Sequence, residues 1–331
     1  MHCTLSILAV GTEGAITSLF WNREEVRLRA GWRIVVFLLG AFVFGEALSR
    51  LGRPVLTRLL PVVYSNAVEA AIYLLLIAVL LWLAGSRLDR RPIVDYGLHL
   101  SRAWWLDLGF GLALGTLLLL GVFVLELAIG WIKVTGTLAS PPGQPFGAAI
   151  LADFLVVVFV AVQEEITFRG YPIKNLAEGF NWKVIGPRWA TVIAVLIPSL
   201  LFGLGHFDNP NATTLSTINI MVFAALFGAG YVLTGELALP IGLHFAWDFV
   251  QGFVFGVTGG TSKLGSFLVL AEDDPAAKLW TGFPYGVEGG PLATVAFILG
   301  FLLIAAWVRL LRGSVRLYPS LAQPPRQLRR A

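Results

Sequence analysis

The chain has a single cysteine, Cys3, so no disulfide can form within it. Charge is scarce too. Asp, Glu, Lys and Arg make up 13% of the 331 residues, against roughly 25% in soluble domains. Histidine occurs only as His2, His99, His206 and His244. There is no His-Glu-x-x-His zinc helix, no Gly-x-Ser-x-Gly elbow and no P-loop. Their absence argues against a zincin, a serine hydrolase and an ATP-driven transporter. The apolar run from Leu5 to Val10 has no Lys or Arg ahead of it. Residues 1–27 are therefore read as an N-terminal extension, without the positive start of a cleaved signal peptide. The net charge of +4 comes from Arg at segment ends, so no nucleic-acid partner is expected.

What abounds is apolar: 57% of residues are hydrophobic and the mean hydropathy is +0.78. A globule of this size cannot hide so much apolar surface from water, so its solvent is partly lipid. A bilayer core needs about 20 mainly apolar residues in a helix. Eight stretches qualify: Trp32–Leu51, Ala67–Gly85, Trp105–Ile132, Phe146–Val162, Trp189–Gly205, Leu215–Leu233, Leu239–Val257 and Pro291–Leu311. Trp32, Trp105, Trp131, Trp189 and Trp307 lie near their ends, as interfacial aromatics do. The expected fold is all-α, a polytopic membrane helix bundle with about eight transmembrane helices.

With the N-terminus in the cytoplasm, 17 Lys and Arg fall on the cytoplasmic side and 6 on the other, Arg169 aside. That bias places both termini inside. Arg50, Arg53 and Arg58, after the first span, run against it. The expected organisation is an extension at 1–27, a membrane domain at 28–312 with its core at about 148–257, and a basic, solvated cytoplasmic tail at 313–331. The loop from Thr258 to Gly290, with Glu272, Asp273, Asp274 and Glu288, reads as an outer acidic loop.

A charge at mid-bilayer costs roughly 2.5–3.5 kcal/mol on insertion scales, so buried ionisable residues are functional candidates by default. The fourth span runs into Gln163-Glu164-Glu165-Ile166-Thr167-Phe168-Arg169-Gly170. Glu165 and Arg169, four apart, share a helix face and can pair. Glu164 lies about 100° away around the helix, free for chemistry. The bland alternative is an interfacial Glu-Glu-Arg anchor. His206 ends the fifth span after Phe202. His244 lies in the seventh, with Asp248 one turn on and on the same face. Either His alone reads more readily as a satisfied buried residue. With Glu164 they are the types that activate water and steady an oxyanion. Asp153, three turns before Glu164, either extends a polar cavity or pairs with another helix. Glu46, Glu69, Asp107 and Glu126 read as polar packing or interfacial residues. Gly203, Gly205, Gly228 and Gly230 read as sites of close helix contact. Pro198 is expected to free a carbonyl and bend the fifth span toward His206.

Three motifs in order, Glu164-Glu165-x-x-x-Arg169, Phe202-x-x-x-His206 and His244-x-x-x-Asp248, resemble the signature of the CAAX-protease and bacteriocin-processing family, also called the Abi or type II CAAX prenyl endopeptidase family. The resemblance covers about 148–257 and extends loosely to Arg29–Arg33. It implies an intramembrane endopeptidase with a cavity open toward the cytoplasm. By that likeness Glu164 and His206 activate the attacking water, and His244 with the residue at 248 holds the oxyanion. Glu165 and Arg169 support the site. Many relatives carry Asn at the last position, and Asp248 donates no hydrogen bond unless protonated, so it either serves the oxyanion or orients His244. Glu164, His206 and His244 also match a catalytic zinc set, and a metal-free Glu/His mechanism fits the same residues. The implied partners are the lipid bilayer and a peptide or protein substrate at the membrane. Abundant Arg, Gly and Ala with few Lys suggest a GC-rich bacterial source and a cell-membrane location. Leader peptides, lipoproteins or other membrane proteins then suit better than prenylated CAAX proteins. The alternatives are a non-catalytic scaffold or immunity factor of the same family, and a proton- or ion-coupled transporter.

Overall fold

The computed structural model describes residues 18–256 and 265–325, and the protein is 72% helical. Among the described residues, seven helices are long and apolar enough to cross a bilayer. They are α1 (Ala30–Leu59), α2 (Val62–Asp89), α3 (Arg102–Ile129), α4 (Phe146–Gly179), α5 (Gly186–Gly205), α6 (Thr214–Thr234) and, last in the chain, α8 (Pro291–Arg312). Between α6 and α8 comes α7 (Ala238–Phe249), which continues as a π turn over Val250–Val254. The count therefore differs from the expected eight. The expected span Leu239–Val257 is helical as far as Val254, but α7 has only 12 residues before its π turn and is buried along nearly its whole length. Its apolar character reflects burial against protein, which composition alone cannot separate from lipid exposure.

Local chemistry sets the ends. The Ser101 hydroxyl accepts from the Trp104 amide to start α3, and Thr213 and Ser216 form a reciprocal capping box at α6. Four helices carry π turns, at Leu48–Gly52, Ala84–Asp89, Ile166–Gly170 and Val250–Val254. The last two flank the polar residues described below, where such turns are often found.

Two small antiparallel pairs were not foreseen. β1 (Trp21–Asn22) pairs with β2 (Arg27–Leu28), and β3 (Ile132–Ala139) pairs with β4 (Ser266–Glu272). The β4 half lies inside the expected acidic loop, which is thus partly a strand laid on the connection after α3. The ends of the chain also depart from expectation. Residues 18–28 pack onto the bundle, with Arg27 buried. The segment after Arg312 is no free tail: Leu321 and Ala322 are 1% and 2% exposed. The carbonyls of Ser320, Ala322 and Gln323 accept from Lys174, Asn181 and Arg91. Residues 1–17 and 326–331 lie outside the described residues.

At the end of the bundle where α1 begins, Arg33 bonds Asp89 at 2.8 Å and Glu178 at 2.8 Å, and Arg27 and Arg91 also pair with Glu178. Tyr96, Tyr171 and Asn175 donate to Asp89. This knot is closed over by residues 317–325. It explains why Arg33, in the segment Arg29–Arg33, can sit inside an apolar bundle: its charge is matched by two carboxylates.

Helix α7 reaches its place because glycine lines its contact with α3. A Cβ on Gly111 would sit 2.3 Å from the Leu239 carbonyl oxygen, and one on Gly242 would sit 2.4 Å from that of Leu108. Gly203 and Gly228 likewise meet Met221 and Val195, and Gly230 meets Leu239, whereas Gly205 has nothing within 4 Å. Asp107 anchors α3 to α8 by accepting from Trp307 and Arg312, at 2.8 and 2.7 Å.

Candidate active site

The acid pair does not close a helix, as the sequence suggested; α4 continues past it through the π turn to Gly179, a run of 34 residues. The extension is tolerated because its charges are paired within protein. Glu165, fully buried, receives the Arg169 Nη1 at 3.0 Å and the His244 Nδ1 at 2.8 Å on the same oxygen, Oε1. The Arg169 guanidinium is 4.4 Å from the Phe202 ring centroid and 4.9 Å from that of Phe227. A cation held between two aromatic faces and a carboxylate keeps its charge without water.

The same rings order the histidines. Phe202 lies 4.6 Å from the His206 ring, and Phe227 stacks on His244 at 5.0 Å with a 15° tilt. The His206 Nδ1 is 2.8 Å from the Phe202 carbonyl. That carbonyl can only accept, so Nδ1 carries the proton and Nε2 is left as an acceptor. The His244 Nε2 is 3.3 Å from Asp248 Oδ2 and 3.8 Å from Glu164 Oε2.

Glu164, His206, His244 and Asp248 line one cavity of about 240 Å³. Glu165 and Arg169 sit behind its wall. Asp153 lines it and accepts the Gly265 amide at 2.8 Å. Of the two readings of Asp153, the cavity one fits, and its carboxylate also ties down the backbone just before β4. Glu46 and Glu69 are paired with Arg50 and Arg53 outside the cavity. Glu126 is buried elsewhere, with Oε1 unbonded.

Several lining residues escaped the sequence reading. Glu288 had been counted in an outer acidic loop, yet it is 6% exposed and lines the cavity. It accepts from the Trp247 Nε1 and from the Gln251 Nε2. Burial pushes its carboxyl above the ordinary carboxylate range. Asn219 fixes its segment by donating to the carbonyls of Glu288 and Gly290, at 2.8 and 2.9 Å. Tyr285, its hydroxyl raised to about 12 by burial, and Asn209 complete that wall. One signal was legible: in Gly282-Phe-Pro-Tyr-Gly-Val-Glu288-Gly-Gly a lone acid sits among glycines. Gly282, at φ +73°, packs where a Cβ would meet the Gly286 oxygen at 2.1 Å. Such backbone-to-backbone contact marks a tightly folded segment, not a solvated loop.

The cavity lies toward one end of the bundle. Asn66 near the start of α2, Asn209 between α5 and α6, and Tyr285 and Glu288 between α7 and α8 all line it. Those positions share the end opposite the Arg33–Asp89–Glu178 knot, since successive helices alternate in direction.

Residues 146–250 match the family model described as Rce1-like, type II CAAX prenyl endopeptidase. The matched segment, about a third of the chain, is similar to that family. It spans α4 to α7 and contains all three motifs, so the matched segment supplies the cavity walls except for Asn66, the residues Gln251, Gly252 and Phe253, and the 285–288 segment. That family is one of membrane proteases, in keeping with the apolar helices of this chain. No curated protein and no solved structure matches the chain.

A zinc set of Glu164, His206 and His244 requires three donors converging on one point. Among the described residues no three His, Cys, Asp or Glu are so arranged. His244 has Nδ1 on Glu165 and Nε2 facing Asp248. As placed, these residues do not fit the ion, and the chemistry below is derived from side chains alone.

Proposed function

We propose that the protein is an intramembrane endopeptidase that hydrolyses a peptide bond of a membrane-delivered polypeptide, with Glu164 as general base. One observation carries this reading. Of two adjacent carboxylates, Glu165 is consumed by Arg169 and His244 at hydrogen-bond distance, while Glu164 lines the cavity at 3.8 Å from His244 Nε2, beyond a hydrogen bond. A cavity carboxylate that accepts no hydrogen bond from a cation is placed to take a proton.

Glu164 removes a proton from the attacking water, and the His206 Nε2 accepts the water's second hydrogen bond. The proton then passes from Glu164 to the departing amine. Both ring nitrogens of His244 face carboxylates, an arrangement that holds a proton on each. Its Nε2–H is the donor for the oxyanion of the tetrahedral intermediate. Asp248 then orients His244, the role its Asn counterpart could not fill as a charge. Glu165 and Arg169 are positioning residues. Glu288 lines the same cavity, held in place by the Trp247 and Gln251 side chains.

The test compares membrane and secreted peptides from cells carrying wild type and Glu164→Gln, by quantitative mass spectrometry. A cleavage product present only with wild type is expected. Identical profiles from two folded and abundant proteins would sink the proposal.

A further inference from the structure

We infer that the cavity receives its polypeptide from the face of the membrane opposite the cytoplasm. What enters rests on the proteolytic reading above; the side from which it enters rests on charge and geometry alone.

Helices α1 to α8 alternate in direction, so every connection belongs to one of two ends. The end where α1 begins carries Arg29, Arg87, Arg102, Lys183, Arg188 and Arg312. Positive residues flanking spans are retained in the cytoplasm, and acids count little in that rule. This end is therefore cytoplasmic, and the opposite end, with far fewer cations, is not.

The cavity is built from that opposite end. Its lining residues Asn66, Asn209, Tyr285 and Glu288 all lie on connections or helix starts there. None of its lining residues comes from the cytoplasmic connections 90–101, 180–185 or 235–237. On the cytoplasmic side of Glu164 the bundle is closed twice. First comes the Glu165–Arg169 pair between Phe202 and Phe227, with both charged residues no more than 1% exposed. Then comes the knot of Arg33, Asp89 and Glu178, with Tyr96 and Tyr171 fully buried against it. A peptide approaching from the cytoplasm would have to displace both layers of paired charge, each costly to break. From the other face no such layers of paired charge lie between the described connections and the cavity wall that carries Glu164 and His206. The substrate class that fits is a polypeptide at the outer membrane surface: an exported chain, or the outer end of a membrane-anchored one. The cytoplasmic tail of an anchored protein does not fit.

The experiment uses the full chain in sealed cells. In a Cys3→Ser background, Asp208→Cys reports the cavity end and Lys183→Cys the other; both positions are exposed. With a membrane-impermeant maleimide, Asp208→Cys is expected to label fully in intact cells. Lys183→Cys is expected to gain label several-fold only on permeabilisation. The reverse pattern overturns the inference. A second readout adds an impermeant peptide mixture to sealed vesicles of either orientation carrying wild type or Glu164→Gln. Glu164-dependent cleavage confined to right-side-out vesicles is expected, and cleavage confined to inverted vesicles overturns the inference. If neither orientation shows Glu164-dependent cleavage, the proteolytic reading fails, and the labelling pattern still decides which face the cavity serves.

Discussion

Replacing Gly111 by Ala adds one methyl group to α3 and should disable the site from a distance. The new Cβ would lie 2.3 Å from the Leu239 carbonyl oxygen and 2.9 Å from the Leu243 amide, where ordinary contact begins at 3.4 Å. Backbone cannot rotate aside as a side chain can, so α7 must move away by about 1 Å. Forced overpacking of this kind costs roughly 1–3 kcal/mol. The gain in helix propensity from Gly to Ala offsets up to about 1 kcal/mol of that. The larger effect is on chemistry, because His244 follows Leu243 directly and Asp248 is one turn further. A displacement of about 1 Å at a reacting group can lower the rate ~100-fold. Gly109→Ala is the matched control: it lies on the same helix and a Cβ there meets nothing within 4 Å. The assay is thermal unfolding in detergent, followed by tryptophan fluorescence, together with Glu164-dependent cleavage. Gly111→Ala should lose activity out of proportion to stability, while Gly109→Ala keeps both. Equal behaviour of the two variants would refute the close α3–α7 seat as the element that positions His244.

Other outcomes follow from the same packing. Arg169→Met leaves Glu165 buried with His244 as its only counter-charge and should destabilise by about 3–5 kcal/mol; the double variant with Glu165→Gln should recover part of that loss, and strict additivity in thermal melts would show the pair to be uncoupled. The Glu288 carboxyl is raised by burial, so its stabilising contribution is complete below the ordinary carboxylate range and is lost as pH rises through the raised folded value. The melting temperature of wild type relative to Glu288→Gln should therefore fall with rising pH across that window, and a flat difference would contradict the assigned shift. Deleting the chain from Leu317 onward removes the buried Leu321, worth about 1.5–3 kcal/mol, and the acceptors of Lys174, Asn181 and Arg91. The truncated protein should melt earlier; an unchanged melt would mean that the segment adds no stability.

Much of the fold could be read from composition because lipid imposes a simple rule: long apolar runs become helices. That rule placed α2, α3, α5, α6 and α8 to within about five residues at each end, and the starts of α1 and α4. It misjudged α7, since a helix buried in protein and a helix facing lipid are both apolar. It ended α4 at Val162, since a Glu-Glu-Arg cluster looks interfacial until Phe202 and Phe227 are seen to enclose the guanidinium. Glu164, His206, His244 and Asp248 were legible together from spacing and rarity, being ionisable residues within spans. Glu288 and Gln251 were not, because their approach depends on the backbone contacts of Gly282, Gly289 and Gly290 between α7 and α8. Nor was the lining of the cavity by Asn66, Asn209 and Tyr285, which lie far apart in the sequence.

The central claim is that Glu164 activates a water molecule for peptide hydrolysis. Its most direct test uses purified wild type and Glu164→Gln, matched in melting temperature, and a peptide whose cleavage in cells depends on Glu164. Run in ¹⁸O-enriched water, wild type should yield a product whose new carboxyl carries one solvent oxygen, and Glu164→Gln should yield no product above background. Equal turnover by the two proteins would contradict the account.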